Sequence, residues 1–342
     1  MNLYSLLKPL LFSLPPETSH VLSLKALQSI HDLGLSSLIV SPTPELPCRV
    51  MGINFPNPLG LAAGLDKNAD YVEGLADLGF GFLEIGTITP RAQPGNSRPR
   101  VFRLTKANAL INRMGFNNKG LNYLAQRLEK ISYQGILGIN LGKNLDTPLE
   151  MAVNDYCVGV QTVYPWASYI TINISSPNTP GLRALQYHKE LQRLLSALKA
   201  QQSHAQVSYG RYVPLAIKIS PDLSITELES MANLLIEYEI DGVIATNTSL
   251  SRIGVEDSNF ANEAGGLSGQ PLCNLSTKLI KQLNTFLEQR IPIIAAGGIM
   301  SAKDAEEKLA AGASLLQIYT GLIYKGPRLI KEILDSLVKK SI

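Results

Sequence analysis

The chain has 342 residues, 45% of them hydrophobic and 17% charged, and its formal net charge is +3 at pH 7. This supplies enough apolar side chains for one large or two medium globular domains, and the weak charge, without a Lys/Arg-rich run, argues against nucleic acid as a partner. The three cysteines form no C-x-x-C pair, which argues against a disulfide framework or a zinc site and fits a reducing compartment.

The first 40 residues predict two short amphipathic helices. Leucines recur at helical spacing over residues 3–14, although Pro9 is expected to kink or shorten that helix. A second helix is predicted after the prolines at 15 and 16, and one of its faces carries His20, Leu24, Leu27 and His31. The pattern leaves two alternatives, because these apolar faces could pack on the main domain or contact a membrane surface. The segment lacks the basic start and the cleavage site of a signal peptide.

The body of the chain follows a Pro-rich linker, Ser41–Pro47, and a predicted hairpin over Arg49–Pro58. It then repeats a short apolar run that ends in small or polar residues and precedes a helical pattern, as expected of parallel strands buried on both faces. The eight runs are Leu59–Ala63, Phe82–Ile85, Ile136–Asn140, Tyr169–Ile174, Leu215–Ile219, Gly242–Thr246, Ile291–Ala296 and Ser314–Ile318. The helical patterns include Asp70–Leu78, Leu185–Ala200, Ser224–Tyr238, Ser276–Phe286, Ala302–Ala310 and Pro327–Leu337.

Eight strands that alternate with helices predict an α/β fold, a (β/α)8 TIM barrel with a small N-terminal helical extension. We expect the extension over residues 1–40 and the barrel domain over residues 41–342. A doubly wound open sheet is the alternative, but the count of eight and the absence of G-x-G-x-x-G after the first strand weigh against it. Asn and Pro residues interrupt the uncharged segment from Tyr156 to Leu182, so a transmembrane helix is not predicted there.

Polar residues gather at the predicted carboxyl ends of the strands, where such barrels place their active sites. They include many amides and hydroxyls and two lysines, but no His or Cys and few carboxylates, so metal catalysis and glycoside hydrolysis are disfavoured. Asparagine offers a donor and an acceptor, which suits a flat polar heterocycle. These residues are Ala63–Lys67, Gly86–Thr87, Asn112–Phe116, Asn140, Asn173, Lys218, Thr246–Thr248, Gly297–Gly298 and Tyr319–Gly321.

The loop within Tyr169–Arg183 is the main candidate for a catalytic segment. Its prolines restrict the backbone, so that polar side chains there could be held with little loss of entropy on binding. A loop chosen only for its turn residues is the alternative. The candidate side chains in the loop are Asn173, Ser176 and Asn178.

The last two strand ends and one lysine predict a cofactor. Glycines there match the place where these barrels bind a phosphate, and Lys218 could set a cation beside a ring that becomes anionic on reduction. Taken singly, a Gly-Gly pair more often forms a turn, and a lysine at a strand end often only extends its ammonium group into solvent. Together they predict an FMN-type cofactor over the barrel mouth, with a small substrate between it and the loop after the fourth strand.

Eight motifs closely resemble class 2 dihydroorotate dehydrogenases, the membrane-associated, quinone-reducing type. They span essentially the whole chain in the family's order, and they are NPLGLAAGLDK (57–67), FLEIGTITPRAQPGN (82–96), INRMGFNN (111–118), GINLGKN (138–144), INISSPNTPGLR (172–183), IDGVIATNT (240–248), GGLSG (265–269) and GASLLQIYTGLIYKGP (312–327). The soluble class 1 relatives have a cysteine at the base position and lack the N-terminal extension. Ser176 and residues 1–40 therefore both favour class 2.

The resemblance implies oxidation of dihydroorotate to orotate in pyrimidine synthesis, with FMN as hydride acceptor, a membrane quinone as final acceptor and Ser176 as catalytic base. The implied substrate-binding residues are Lys67, Asn112, Arg113, Met114, Gly115, Phe116, Asn173, Asn178, Asn247 and Thr248. The implied FMN-binding residues are Ala63, Gly64, Leu65, Asp66, Lys67, Thr87, Asn140, Asn173, Lys218, Thr246, Gly269, Gly298, Tyr319 and Thr320. The implied quinone site is lined by His20, Arg103 and Tyr319.

The resemblance also implies a peripheral protein on the cytoplasmic face of the cell inner membrane, with a quinone tunnel formed by the first 40 residues, and a monomer is expected. Two other functions stay open from the sequence. One is a different FMN barrel, such as a dihydrouridine synthase acting on RNA, which would need a basic face that is not visible. The other is a barrel that binds a ligand without turnover, or a scaffold, and such a protein would be colourless when purified.

Overall fold

A computed structural model describes residues 3–40 and 42–341 of the chain. Ser41, where the predicted linker and barrel domain begin, lies outside the described residues, as do residues 1, 2 and 342 at the ends of the two predicted regions. In chain order the strands are β1 (Cys48–Val50), β2 (Ile53–Phe55), β3 (Leu59–Leu61), β4 (Phe82–Ile88), β5 (Val101–Leu104), β6 (Ala109–Asn112), β7 (Ile136–Leu141), β8 (Tyr169–Asn173), β9 (Leu215–Ile219), β10 (Gly242–Ala245), β11 (Gly266–Gly269), β12 (Ile293–Ala296) and β13 (Ala313–Ile318).

Eight of these strands close into a parallel barrel, in the order β3, β4, β7, β8, β9, β10, β12 and β13, with β13 paired back to β3. The predicted TIM-barrel fold is therefore confirmed. Each predicted apolar run overlaps one barrel strand; β9 has the predicted ends, whereas β4 continues past Ile85 to Ile88. Runs of apolar residues are buried on both faces here because helices cover the outside and side chains fill the inside.

Helices surround the barrel and precede it. They are α1 (Leu3–Ser13), α2 (Pro16–Asp32), α3 (Val72–Ala76), α4 (Gly120–Leu128), α5 (Ala152–Val163), α6 (His188–Tyr209), α7 (Ile225–Glu237), α8 (Cys273–Phe286), α9 (Ala302–Ala310), α10 (Thr320–Lys325) and α11 (Arg328–Ser341). The sequence did not indicate α4, α5 or α10. Gly159 and several β-branched residues weaken the helical signal of α5. Gly159 nevertheless suits its place, since a Cβ there would lie 2.9 Å from Leu141 Cδ1 of β7.

The amino-terminal end of the barrel is closed by the predicted hairpin. β1 and β2 pair antiparallel, and Phe55 at the end of β2 contacts Phe82 inside the barrel at 5.1 Å between ring centroids. Phe82 in turn contacts Tyr169 at 6.2 Å, and all three rings are almost fully buried. The barrel therefore has an apolar floor, and a ligand can reach its interior only from the carboxyl ends of the strands.

A second sheet lies outside the barrel and was not predicted. β5, β6 and β11 form an antiparallel sheet in which Asn112 at the end of β6 is paired with both Val101 and Gly266. Its strands come from two connections that the sequence suggested only as loops, because short strands between glycines give a weak signal. The sheet fixes the position of Asn112.

The N-terminal helices pack on this second sheet. Arg103 of β5 donates to the carbonyls of Phe12 and Leu14 at 2.9 and 2.8 Å and to Ser19 Oγ at 2.9 Å. Both predicted helices are present, and α1 continues through Pro9 instead of ending there. Large apolar side chains of these helices stay exposed, namely Leu6, Leu7, Leu10, Val21 and Leu22, and Leu7, Val21 and Leu22 also line a cavity between the helices and the barrel. Packing thus occurs on the inner face, and contact with a membrane stays a prediction for the outer face.

Within the described ranges of the chain, no helix is long and apolar enough to cross a membrane.

We expect Gly60→Ala to lower the free energy of unfolding by about 1–3 kcal/mol, because an overpacked core must distort. A Cβ at Gly60 would lie 2.3 Å from Phe82 Cζ, and that buried ring is held between two other aromatic rings. Urea unfolding measures the change. The control is Gly135→Ala, whose Cβ meets the phenol end of the half-buried Tyr133, a ring that can move outward. An equal loss in both variants would contradict this prediction.

Candidate active site

A cavity opens at the carboxyl ends of the barrel strands. It collects most of the substrate-binding and cofactor-binding residues that the sequence indicated, from seven of the eight strand ends and from the second sheet. The predicted residues that line it are Ala63, Gly64, Lys67, Thr87, Asn112, Met114, Gly115, Phe116, Asn173, Ser176, Asn178, Lys218, Thr246, Asn247, Thr248, Gly269, Gly298, Tyr319 and Thr320.

Four predicted residues do not line this cavity. Asp66 turns away and accepts the backbone N–H groups of Asn68, Asp70 and Tyr71, so it shapes the loop, and Leu65 lies beside it. Arg113 points outward and forms an ion pair with Glu263. Asn140 is fully buried below the cavity. Sequence spacing located these residues near the strand ends but could not give the direction of their side chains.

Amide and hydroxyl side chains form a connected network across the cavity wall. Thr87 Oγ1 donates to Asn140 Oδ1 at 2.6 Å and accepts from Asn173 Nδ2 at 3.1 Å. Asn173 Oδ1 then accepts from Asn247 Nδ2 at 3.1 Å. Because each amide has its donor and acceptor fixed by a neighbour, the ring-binding groups are oriented before any ligand arrives.

The two serines of the loop after β8 have different environments. Ser175 Oγ donates to the Lys218 carbonyl at 2.6 Å and accepts from Asn247 Nδ2 at 3.0 Å, so its hydroxyl is fully engaged. Ser176 Oγ lines the cavity and accepts the N–H of Asn178 at 3.2 Å. Among the residues that the structure describes, no acceptor takes the Ser176 hydroxyl proton. Only Ser176 is therefore free to react with a ligand.

An arginine fixes this loop to its neighbours. Arg183 donates from Nε to the Ser175 carbonyl at 3.2 Å and from Nη2 to the Thr248 carbonyl at 3.1 Å. Its remaining nitrogen, Nη1, pairs with Asp222 at 2.8 Å. The loop is thus tied to the ends of β8 and β10, which supports a binding loop more than an ordinary turn.

Two lysines give the cavity its positive charge. Burial, followed by the charge of Arg100, lowers the pKa of Lys67 to about 8, and its Nζ donates to the Gly64 carbonyl at 2.8 Å. Burial also lowers the pKa of Lys218, against the opposing effect of Glu84. In the described part of the chain the Lys218 ammonium has no hydrogen-bond acceptor. A buried, unpaired ammonium is suited to an electron-rich ligand atom.

The far side of the cavity suits a phosphate-bearing ring ligand such as FMN. Gly298 has φ +76°, and a Cβ there would lie 2.3 Å from the backbone N of Cys273, so the backbone comes close to α8 and leaves room in the cavity. The buried Gln317 Oε1 faces no partner among the described atoms. This free acceptor and the Lys218 ammonium fit a ring with N–H and carbonyl groups.

Sequence reasoning missed several lining residues. Gln317 is one, and the signal was a single polar residue inside the apolar run of β13. The others are mostly small or apolar and carry no pattern of their own, such as Ala62, Ser268, Leu272 and Ile299.

A second cavity, of about 740 Å³, lies between the N-terminal helices and the barrel. Its lining includes His20, Arg103 and Tyr319, the three residues indicated for a quinone site. Burial and the nearby charge of Lys67 lower the pKa of His20 to about 4, so this imidazole is neutral at physiological pH. The two cavities share a wall, since both are lined by Lys67, Val101, Leu110, Met114 and Tyr319.

Comparisons with known proteins agree with this geometry. A family model described as dihydroorotate dehydrogenase matches residues 45–340. The protein named dihydroorotate dehydrogenase (quinone) from Nitrosospira multiformis is 54% identical over 98% of this chain and 96% of its own. Its namesake from Pseudomonas fluorescens strain SBW25 is 55% identical over 98% of both chains. The crystal structure of DHODH from Eimeria tenella in complex with ferulenol has a TM-score of 0.83 and 37% identity, over 92% of this chain and 90% of that one.

Proposed function

The chain belongs to the dihydroorotate dehydrogenase family, in its quinone-dependent class, and from that premise we propose how its residues divide the work of the reaction. The chain oxidises dihydroorotate to orotate in pyrimidine biosynthesis, with a flavin cofactor and a quinone as acceptor. This assignment of roles is supported by two cavities with a common wall. One is polar and lies at the barrel mouth, and the other lies beneath the N-terminal helices.

The flavin is FMN, held in the first cavity. When bound, FMN accepts the two electrons of substrate oxidation and passes them on to the quinone. The turn at Gly298 and the groups at Gly269 and Thr320 would hold its phosphate, while Lys218, Thr87 and Gln317 would contact the ring system. Thr246, Ala63 and Gly64 complete the cofactor site. Asn140 acts from below through Thr87, and Leu65 and Asp66 shape the loop that carries Lys67.

The substrate lies between the flavin and the loop after β8. The Lys67 ammonium pairs with the dihydroorotate carboxylate, because it is a buried cation that lines the first cavity. The pyrimidine ring is bound by Asn112, Asn173, Asn178, Asn247 and Thr248, and the segment Met114–Phe116 lies beside it. Arg113 contributes by position only, since its side chain is engaged with Glu263 outside the cavity.

Ser176 is the base that takes the C5 proton. A serine hydroxyl is a weak base, so it needs a site closed to water and a path for its own proton. Thr179, in the same loop, has a buried hydroxyl with no partner among the described atoms. We propose that this hydroxyl, with a water, carries the proton from Ser176 away from the substrate.

The second cavity is the quinone site, and His20, Arg103 and Tyr319 line it. Quinone is apolar and resides in membranes, so the exposed leucines of α1 and the Val21–Leu22 pair of α2 face the membrane surface. The protein then lies peripherally on the cytoplasmic face of the cell inner membrane, as a monomer. Residues 1–40 form the membrane and quinone segment, and residues 41–342 form the catalytic domain.

Ser176→Ala is expected to slow reduction of the bound flavin by dihydroorotate on the order of 10²–10⁴-fold, because the C5 proton loses its acceptor. FMN content stays at the wild-type level, since Ser176 is not part of the cofactor site. Anaerobic stopped-flow absorbance of the flavin measures the rate. Ser175→Ala is the matched control, and we expect a smaller effect because it removes hydrogen bonds with the Lys218 carbonyl and Asn247 but not the acceptor of the C5 proton. A greater loss in Ser175→Ala than in Ser176→Ala would mean that the base is assigned to the wrong serine.

The pH dependence of substrate capture follows from Lys67. Its pKa of about 8 means that the free protein loses this cation as pH rises through that value. We expect kcat/KM for dihydroorotate to be constant below about pH 8 and to fall about tenfold per pH unit above it. The fall in kcat is expected at higher pH, because the bound substrate carboxylate stabilises the protonated Lys67 amine.

Lys67→Met should lower kcat/KM and remove this alkaline limb. Lys199→Met, on the exposed surface of α6, is the control and keeps the wild-type profile. Persistence of the limb in Lys67→Met would contradict the assignment.

A further inference from the structure

Glu84 is a carboxylate in the interior of the barrel. It belongs to β4 and lies between the floor formed by Phe82 and the active-site cavity. Only 1% of its surface is exposed to solvent. Glu84 is not the proposed base, and it is not among the residues proposed to bind the substrate or the cofactor. Burying an ionised group in such a place is costly unless donors surround it, so its presence calls for a reason.

Three donors converge on the two oxygens of Glu84. Asn140 Nδ2 donates to Oε1 at 2.8 Å, while Tyr169 OH and Gln317 Nε2 donate to Oε2 at 2.8 and 2.7 Å. An amide NH2 group can only donate, so Glu84 acts as an acceptor on both oxygens. This arrangement fits an ionised carboxylate.

The contact with Asn140 sets the direction of the polar network above it. Because Nδ2 of Asn140 faces Glu84, its Oδ1 faces upward and accepts from Thr87 and, at 3.3 Å, from Asn173 Nδ2. Asn173 therefore presents its own Oδ1 to Asn247. If position 84 carried a donor instead, the side-chain amide of Asn140 would rotate so that its Oδ1 faced position 84. Its Nδ2 would then face Nδ2 of Asn173, and two donors would oppose each other.

The contact with Gln317 has a similar effect on the other side. Its Nε2 is held by Glu84, which leaves the unpartnered Oε1 as the group that it offers as an acceptor. Glu84 also provides the negative charge that most directly opposes the loss of the proton from Lys218. One carboxylate thus acts on Asn140, Gln317 and Lys218, and two of these line the cavity.

We propose that Glu84 is a positioning residue for the flavin ring, which orients the amides of Asn140 and Gln317 from beneath the cofactor. The proposal rests on the proposed function in that FMN occupies the first cavity. It assigns Glu84 no contact with the flavin or the substrate.

Glu84→Gln tests it, because glutamine keeps the shape but removes the charge and places a donor against one of the three donors. We expect FMN to bind the apoprotein at least tenfold more weakly. The midpoint potential of the bound flavin should become more positive, since a buried negative charge beneath the cavity is gone. FMN titration of the apoprotein and a reductive titration measure the two effects.

Tyr169→Phe is the matched control. It removes the hydrogen bond from Tyr169 to the same carboxylate and a longer one, 3.3 Å, from Gln317 Nε2 to the Tyr169 hydroxyl. The charge and the contacts of Glu84 with Asn140 and Gln317 stay in place. We expect its FMN affinity within about twofold of wild type and its potential unchanged, whatever it does to stability. If Glu84→Gln does not fold, Glu84→Asp replaces it; it keeps the charge but shortens the reach to Asn140, so we expect weaker FMN binding with a wild-type potential.

Equal losses in Tyr169→Phe and Glu84→Gln would overturn the proposal, because Glu84 would then only hold the floor together. Wild-type FMN affinity and potential in Glu84→Gln, or wild-type FMN affinity in Glu84→Asp where that variant is used, would overturn it as well. A wild-type chain that does not bind FMN would instead refute the proposed cofactor, so the two failures are distinguishable.

Discussion

Closure of eight parallel strands brings all eight carboxyl ends to one rim, and the rest of the structure depends on this constraint. Residues far apart in the chain, such as Lys67 and Thr320, meet there without any local sequence relation. The floor of aromatic rings at the other end, with Phe82 at its centre, leaves a single direction of access. The polar groups of the interior must then be satisfied by each other or by a ligand at that rim.

The two cavities explain how one chain can link a polar substrate to an apolar acceptor. The first is lined with amides and ammonium groups, and the second lies under helices whose outer faces are apolar. Arg103 connects the helices to the second sheet through backbone carbonyls, so the second cavity is attached to the same sheet that positions Asn112. The shared wall, which includes Tyr319, is where electrons would leave the flavin.

Sequence reasoning predicted the barrel well because its strands are buried on both faces and read as continuous apolar runs, as in Leu215–Ile219. It found the rim residues because they follow those runs directly. It could not find Glu84 or Gln317, since one polar residue inside an apolar strand does not reveal its partners on other strands. It also could not tell that Arg113 points outward, because that depends on Glu263 in a distant loop. The resemblance to a family supplied the chemistry and the choice of Ser176 over Ser175, and the structure added the different hydrogen bonds of the two hydroxyls.

The central claim is that this chain carries electrons from dihydroorotate through a flavin to a quinone. The most direct measurement is anaerobic addition of dihydroorotate to the purified yellow protein, followed by quinone, NAD or fumarate as separate acceptors. The account predicts that dihydroorotate bleaches the flavin absorbance and that quinone alone restores it promptly. A flavin that dihydroorotate cannot bleach, or one that NAD or fumarate reoxidises while quinone does not, would contradict it.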